Sequence, residues 1–194
     1  VARIVYHSVL HPQVEAMPHH WHKMRVEECL FVSGVPYTIL QPAAYMQNIL
    51  AQWDSITGEG VYPVPYGADT RLGMVDLEDV AAAAAAVVAG PGHTGAVYEL
   101  AGPEVLTQTE VASILGRQLG REVRVRVVPL DEWAAGVRAA GLGDYAVETL
   151  RRMFAYYDRH GFWGNPNVLG WLLGRPPTGF STFAGRAAEG RAGV

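Results

Sequence analysis

Apolar positions along this chain follow two rhythms. Short β-branched or apolar runs, bounded by Gly, Pro or polar residues, predict strands over residues 3–8, Tyr37 to Leu40, Arg71 to Val75, Ala96 to Leu100 and Val123 to Val128. Longer segments predict helices over His19 to Ser33, Ala43 to Ser55, Leu77 to Ala89, Glu132 to Ala140, Tyr145 to Arg159, Asn165 to Leu173 and Phe180 to Ala187. One more helix runs to Leu119, with Thr107 and Glu110 spaced as a capping box. Asp76, Asp131 and Thr178 read as N-caps, and Gly34 and Gly120 as stops. Residues 57–70 are rich in Gly and Pro and read as a surface loop. In the first helix, Trp21, Met24, Cys29 and Val32 are the expected buried side. Lys23 and Glu27, four apart, are spaced to pair on the surface.

Strands alternate with helices as far as residue 100, and the chain is mostly helical beyond it. Alternation predicts an α/β fold with a parallel sheet, followed by a smaller helical lobe. The alanine run Ala81 to Ala86 suits close packing of a helix on that sheet. The unit 19–48 (helix, turn, buried strand, Pro42) brings Lys23 and the strand end at Gln41 and Pro42 towards one crevice. Open α/β sheets bind ligands outside the carboxyl ends of their strands.

Composition changes this picture little. The 194 residues are 49% hydrophobic and 18% charged with a net charge of -4, which gives no general attraction to nucleic acid or anionic membrane. Cys29 is the one cysteine, so no intrachain disulfide or cysteine-based zinc site forms, and a reducing, cytoplasmic setting is expected. No run of about 18 apolar residues predicts a membrane span.

Two motifs invite chemistry. Gly90-Pro91-Gly92-His93-Thr94-Gly95 is a literal G-x-G-x-x-G, but a helix precedes it and a strand follows, the reverse of what a phosphate loop needs. It reads as a helix-to-strand turn. His19, His20 and His22 lie close together, with His19 and His22 at i, i+3, yet no acidic residue or cysteine joins them, so no metal site is expected. The aromatic helix with Met153, Phe154, Tyr156 and Tyr157 suits core or substrate-pocket lining.

Taken in order, several segments resemble the NmrA-like family, atypical members of the short-chain dehydrogenase/reductase superfamily. They are Val5-Tyr6-His7-Ser8, Lys23 with Val26-Glu27, Ser33 to Pro42, Tyr45-Met46-Gln47-Asn48, Val75 to Ala81, Tyr98 to Pro103 and Gly174-Arg175-Pro176-Pro177. The resemblance implies a Rossmann-like parallel sheet binding NADP or NAD, of which residues 1–103 are the C-terminal part. Residues 104–194 would form a mostly helical lobe on the substrate side. It matches Ser8 to the strand end facing the nicotinamide and Lys23 to the lysine approaching the nicotinamide ribose. Gln41, Pro42 and Tyr45 match the segment bordering the cofactor.

The sequence departs from that family in two ways. The opening strand, Gly-rich turn and following strand units are missing, and the first strand would be an unprotected apolar edge. These residues are therefore expected to be part of a longer protein. The superfamily's usual tyrosine four residues before the lysine is replaced by His19, which is weighed as a catalytic residue beside Lys23. Two functions follow from the resemblance. One is an NAD(P)H-dependent oxidoreductase on a small carbonyl or quinone-like substrate. The other is a non-catalytic redox sensor acting through a protein partner. Neither involves direct nucleic-acid or membrane binding.

Overall fold

The computed structural model describes residues 3–190. Strand β2 (Tyr37–Pro42) is the centre of a parallel sheet, flanked by β1 (Ile4–His7) and β5 (Ala96–Leu100). His7 pairs with Leu40 and Leu100 with Pro42, so all three strands end at one edge. From Thr38 onward β2 is wholly buried, as expected of a strand with neighbours on both sides and cover on both faces. The α/β expectation with a parallel sheet holds.

Helix α1 (Pro18–Val32) joins β1 to β2. It starts one residue earlier than the pattern implied, because Pro18 occupies its first turn, where a missing N–H costs nothing. Lys23 therefore lies in the second turn. The expected buried side is wrong in two places: Cys29 and Val32 are exposed, and the buried residues of α1 are His20 and Glu27. The helix carries no apolar stripe to read, since its inward positions are polar groups with partners elsewhere in the fold.

The segment after β2 is not the single helix that its alanines suggest. Ala43 donates to the Leu100 carbonyl, Val75 to Ala44 and Met46 to Val75, which keeps residues 43–45 extended. This pairing overrides local helix propensity. A 3₁₀ helix (Met46–Gln52) and a π turn (Ser55–Glu59) follow.

The expected loop 57–70 contains a strand, β3 (Val61–Val64), which pairs in parallel with β7 (Arg124–Val127). Pro63 hides it from pattern reading, and it is tolerated because β3 has this single neighbour. The strand expected over Arg71 to Val75 is shorter, with β4 (Arg71–Leu72) antiparallel to β6 (Leu106–Thr107).

Helix α2 (Leu77–Ala89) is capped by Asp76, and α3 (Gln108–Leu119) by the Thr107–Glu110 box. Of the alanine run, Ala83 is fully buried while Ala81, Ala82, Ala85 and Ala86 are exposed, so the close contact is narrower than expected.

Helices α4 (Leu130–Ala139), α5 (Asp144–His160), α6 (Asn167–Leu173) and α7 (Phe180–Ala188) complete the chain. Two expected caps differ. Pro129 precedes α4 while Asp131 pairs with Arg151, and Gly179 precedes α7 while Thr178 bonds to Asp79. Among the described residues no helix is long and apolar enough to cross a membrane.

Candidate functional site

The common carboxyl edge of β1 and β2 is where polar side chains collect. Ser8 follows β1, and its backbone N–H donates to Leu40 across the sheet. The loop from there to α1 is pinned: Leu10 donates its N–H to the Pro42 carbonyl at 2.8 Å, and Leu10 and Met17 are fully buried.

Glu27 is the hub. It is 4% exposed, accepts a hydrogen bond from the Ser8 hydroxyl, and accepts from Gln41 Nε2 at 3.0 Å on each of its oxygens. One carboxylate thus ties α1 to the ends of both strands. The expectation that Glu27 pairs with Lys23 on the surface is overturned, because the carboxylate is buried and its partners are neutral donors. The spacing rule that suggested the pair says nothing of which helix face is covered.

Lys23, one turn before Glu27, points to the same edge. Its Nζ donates to the His7 carbonyl at 3.1 Å and lies 5.2 Å from the centre of the Tyr6 ring. The ammonium has three donors, and this bond takes one of them. Desolvation, then the charge of Glu27, raises the Tyr6 pKa above its usual value.

Tyr45 leaves the end of β2, and its hydroxyl shares a 2.7 Å hydrogen bond with His7 Nε2. The ring centres are 6.3 Å apart. Desolvation, then the Lys23 charge, lowers the His7 pKa, and desolvation raises that of Tyr45. Both groups are accordingly neutral near pH 7.

His19 lies beside His20, with ring centres 4.4 Å apart, and its Nδ1 is buried without a hydrogen-bond partner. Desolvation lowers its pKa, and the charges of His22 and Lys23 lower it further. His20 is 3% exposed, and burial pulls its pKa down to about 4 against hydrogen bonds to the backbone at His11 and Leu10. From α5, the Tyr145 hydroxyl reaches His22 Nδ1 at 3.1 Å.

The residues singled out from the sequence thus fall into two groups. Lys23 and Tyr45 meet through His7, with donors to spare. Ser8 and Gln41 meet at Glu27, so their polar hydrogens are already taken; Pro42 is buried and gives its carbonyl to Leu10. Sequence reasoning named Glu27 as a surface partner of Lys23 and His20 as one of a histidine cluster, and quoted His7 without giving it a part in the site. Only the polarity of His7 at the end of an apolar strand marked it.

This edge suits the nicotinamide end of a dinucleotide. Lys23 has free donors for ribose hydroxyls, the orphaned His19 Nδ1 lacks a partner, and the strand ends form the crevice where such ligands bind.

Of the aromatics in α5, Phe154, Tyr156 and Tyr157 pack in or against the core, while Tyr145 is exposed. Tyr157 is buried and stacks on Phe162 at 4.8 Å, while Phe154 meets Trp133 edge-on at 4.9 Å and Tyr66 at 5.8 Å. Burial raises the Tyr66 pKa to about 12.

Comparison with known proteins bears on the family and the fold. The model of the NmrA-like family matches residues 1–175. Quinone oxidoreductase 2 of Escherichia coli (strain K12) is 31% identical over 175 residues, which cover 90% of this chain and 61% of that protein. NAD(P)H azoreductase of Xenophilus azovorans is 28% identical over 152 residues, 78% of this chain and 53% of that protein. The chain therefore spans between half and two thirds of the length of these relatives. The crystal structure of the NADPH-dependent quinone oxidoreductase from Escherichia coli, complexed with NADPH, superposes with a TM-score of 0.85 at 29% identity, covering 96% of this chain and 66% of that one. With a family match across most of its length and a Rossmann-like reductase as structural neighbour, the chain belongs to the NmrA-like family.

Proposed function

We propose that this chain is part of an NAD(P)H-dependent oxidoreductase acting on a small carbonyl or quinone-like acceptor, with NADP or NAD as its cofactor. The observation that carries the reading is the junction of Lys23 and the β1 end, where Nζ and the His7 carbonyl meet at 3.1 Å. The names of its relatives, a quinone oxidoreductase and an NAD(P)H azoreductase, support the same reaction class.

When bound, the reduced nicotinamide supplies the hydride. This chain's residues hold and orient it. Lys23 contributes donors to the nicotinamide ribose, and His19 offers its unpartnered Nδ1 at the start of α1. Tyr45 borders the reacting end. Ser8, Gln41 and Pro42 shape the crevice wall, fixed by Glu27 and by the Leu10 bond. Residues 1–103 act on the cofactor side and 104–194 on the substrate side. The exposed thiol of Cys29 suits a reducing, cytoplasmic compartment.

The test is titration of the full-length protein with NADPH, NADP, NADH and NAD, followed by turnover on a panel of quinones. Binding with turnover is expected, and Lys23→Ala should weaken cofactor binding about 10- to 100-fold, the loss of a charged hydrogen bond. Binding with no turnover on any acceptor would instead favour the redox sensor with a protein partner. Unchanged affinity in Lys23→Ala would remove that residue from the site.

A further inference from the structure

Reduction of a carbonyl or quinone oxygen needs a proton as well as a hydride. The position that carries the superfamily's usual tyrosine holds His19, whose ring is partly desolvated and faces like charges from His22 and Lys23. A phenol nonetheless stands at the crevice, on a different element. We propose that Tyr45 is the proton donor to the acceptor oxygen, and that His7 is the positioning residue that aims Tyr45 and relays its replacement proton from water. This rests on the oxidoreductase reading above.

Three observations carry the proposal. First, Tyr45 and His7 come from the carboxyl ends of adjacent strands, and their side chains meet at 2.7 Å, within reach of direct proton transfer. Second, the Tyr45 backbone is fixed: residue 45 bridges Val75, and its neighbours bracket it, Ala44 accepting from the Val75 N–H and Met46 donating to the Val75 carbonyl, so its ring is presented from a rigid support. Third, the two members differ in access. Tyr45 is half-buried against the core, while His7 is exposed and so meets solvent. A relay needs this order, with a dry donor inside and a wet carrier outside.

The remaining charges nearby fit the same task. Lys23 holds the His7 carbonyl and faces the Tyr6 ring; Glu27 lies one helical turn away, with its oxygens engaged by Ser8 and Gln41. Desolvation, and then the Lys23 charge beside it, keep His7 neutral near pH 7, so it can carry its proton on Nε2.

The step balances. As the acceptor carbonyl carbon receives the hydride, the carbonyl π pair moves onto oxygen. That oxygen takes the phenolic proton, so the Tyr45 O–H bond breaks and a new O–H bond forms on the product. The Tyr45 oxygen then takes the Nε2 proton of His7, while Nδ1 takes one from water. Both residues end as they began, with the tautomer of His7 reversed and restored by exchange with solvent.

The experiment uses the full-length protein and two variants. Tyr45→Phe should lower kcat about 10²- to 10⁴-fold, the usual worth of a positioned acid, with NADPH affinity within threefold of the parent. His7→Gln should lower kcat less, shift the pH profile of kcat, and change NADPH affinity little. A readout independent of turnover is the ¹³C-tyrosine NMR titration of the cofactor-free protein. The resonance absent from Tyr45→Phe should titrate above the usual phenol range, and it should move in His7→Gln. A Tyr45→Phe variant that keeps parental kcat overturns the relay while leaving the oxidoreductase reading intact. A parent that binds no nicotinamide cofactor or reduces no acceptor overturns both. A Tyr45 resonance that ignores His7→Gln removes His7 from the pair, and loss of NADPH affinity equal to the loss of kcat would make both side chains binding residues instead.

Discussion

Two regions of this molecule bury carboxylates, and they satisfy them in opposite ways. At the start of α2, Asp76 is fully buried and accepts from Gln47 Nε2, the Glu78 backbone N–H and Arg186, while Asp79 accepts from Arg175, Thr178 Oγ1 and the Thr178 backbone N–H. Charge meets charge there, and what is fastened is α7, through Arg186, together with the segment leading into it. At the crevice, Glu27 is held by a serine hydroxyl and a glutamine amide, both neutral. The first arrangement is an anchor between distant parts of the chain. The second leaves the nearby lysine ammonium with donors to spare. A cationic group kept out of an internal salt bridge remains available to a ligand, and that separates a structural carboxylate from one that lines a candidate site.

The comparison can be broken most easily at its charged end. Asp76→Ala strips a helix cap and leaves the one-fifth-exposed Arg186 without its buried partner, so urea unfolding should show a loss of about 3–5 kcal/mol. A loss below about 1 kcal/mol would mean the anchor is ornamental. Acid probes the crevice side. His20 is neutral in the fold down to about pH 4, whereas the unfolded ring titrates near 6.5. A depressed folded-state pKa gives stability that is present above pH 6.5 and lost as pH falls through 4, here roughly 3 kcal/mol. The same acid scan of His20→Asn should lose that much less, and parallel curves would contradict the assignment.

Glu27→Gln keeps the shape but sets an amide NH₂ against the Gln41 amide. We expect a stability cost of about 1–3 kcal/mol, and cofactor affinity should fall with it because both strand ends loosen. Full cofactor affinity in that variant would show that the clamp holds the fold and not the site. The smallest effect is expected at Cys29→Ser. Its side chain is exposed, so unfolding should shift by no more than about 0.5 kcal/mol, whereas a buried thiol would cost several times that.

How far the sequence carried can be judged from particular elements. The capping box at Thr107 and Glu110, the cap at Asp76 and the turn at Gly90 to Gly95 were all legible, because each is a local contest between the backbone and a nearby side chain. Strand β3 was not, since Pro63 argues against a strand until β7, some 60 residues away, supplies the partner. At Gly102 a Cβ would collide with the Met74 carbonyl oxygen, and the sequence shows only a turn there. The site was half legible. Lys23 and Tyr45 stood out by resemblance, while Glu27 looked like a surface partner and His7 like the polar end of a strand.

The sequence by itself determined the alternation of the main strands and helices, the ends of several helices and the parallel sheet, because propensity, capping and alternation act over a few residues. Only the tertiary structure decided which side of α1 faces inward, that Glu27 binds Ser8 and Gln41 in place of Lys23, and that His7 meets Tyr45. Those contacts join residues 14 to 38 positions apart, and their free energy depends on burial, a property that no local window of sequence contains.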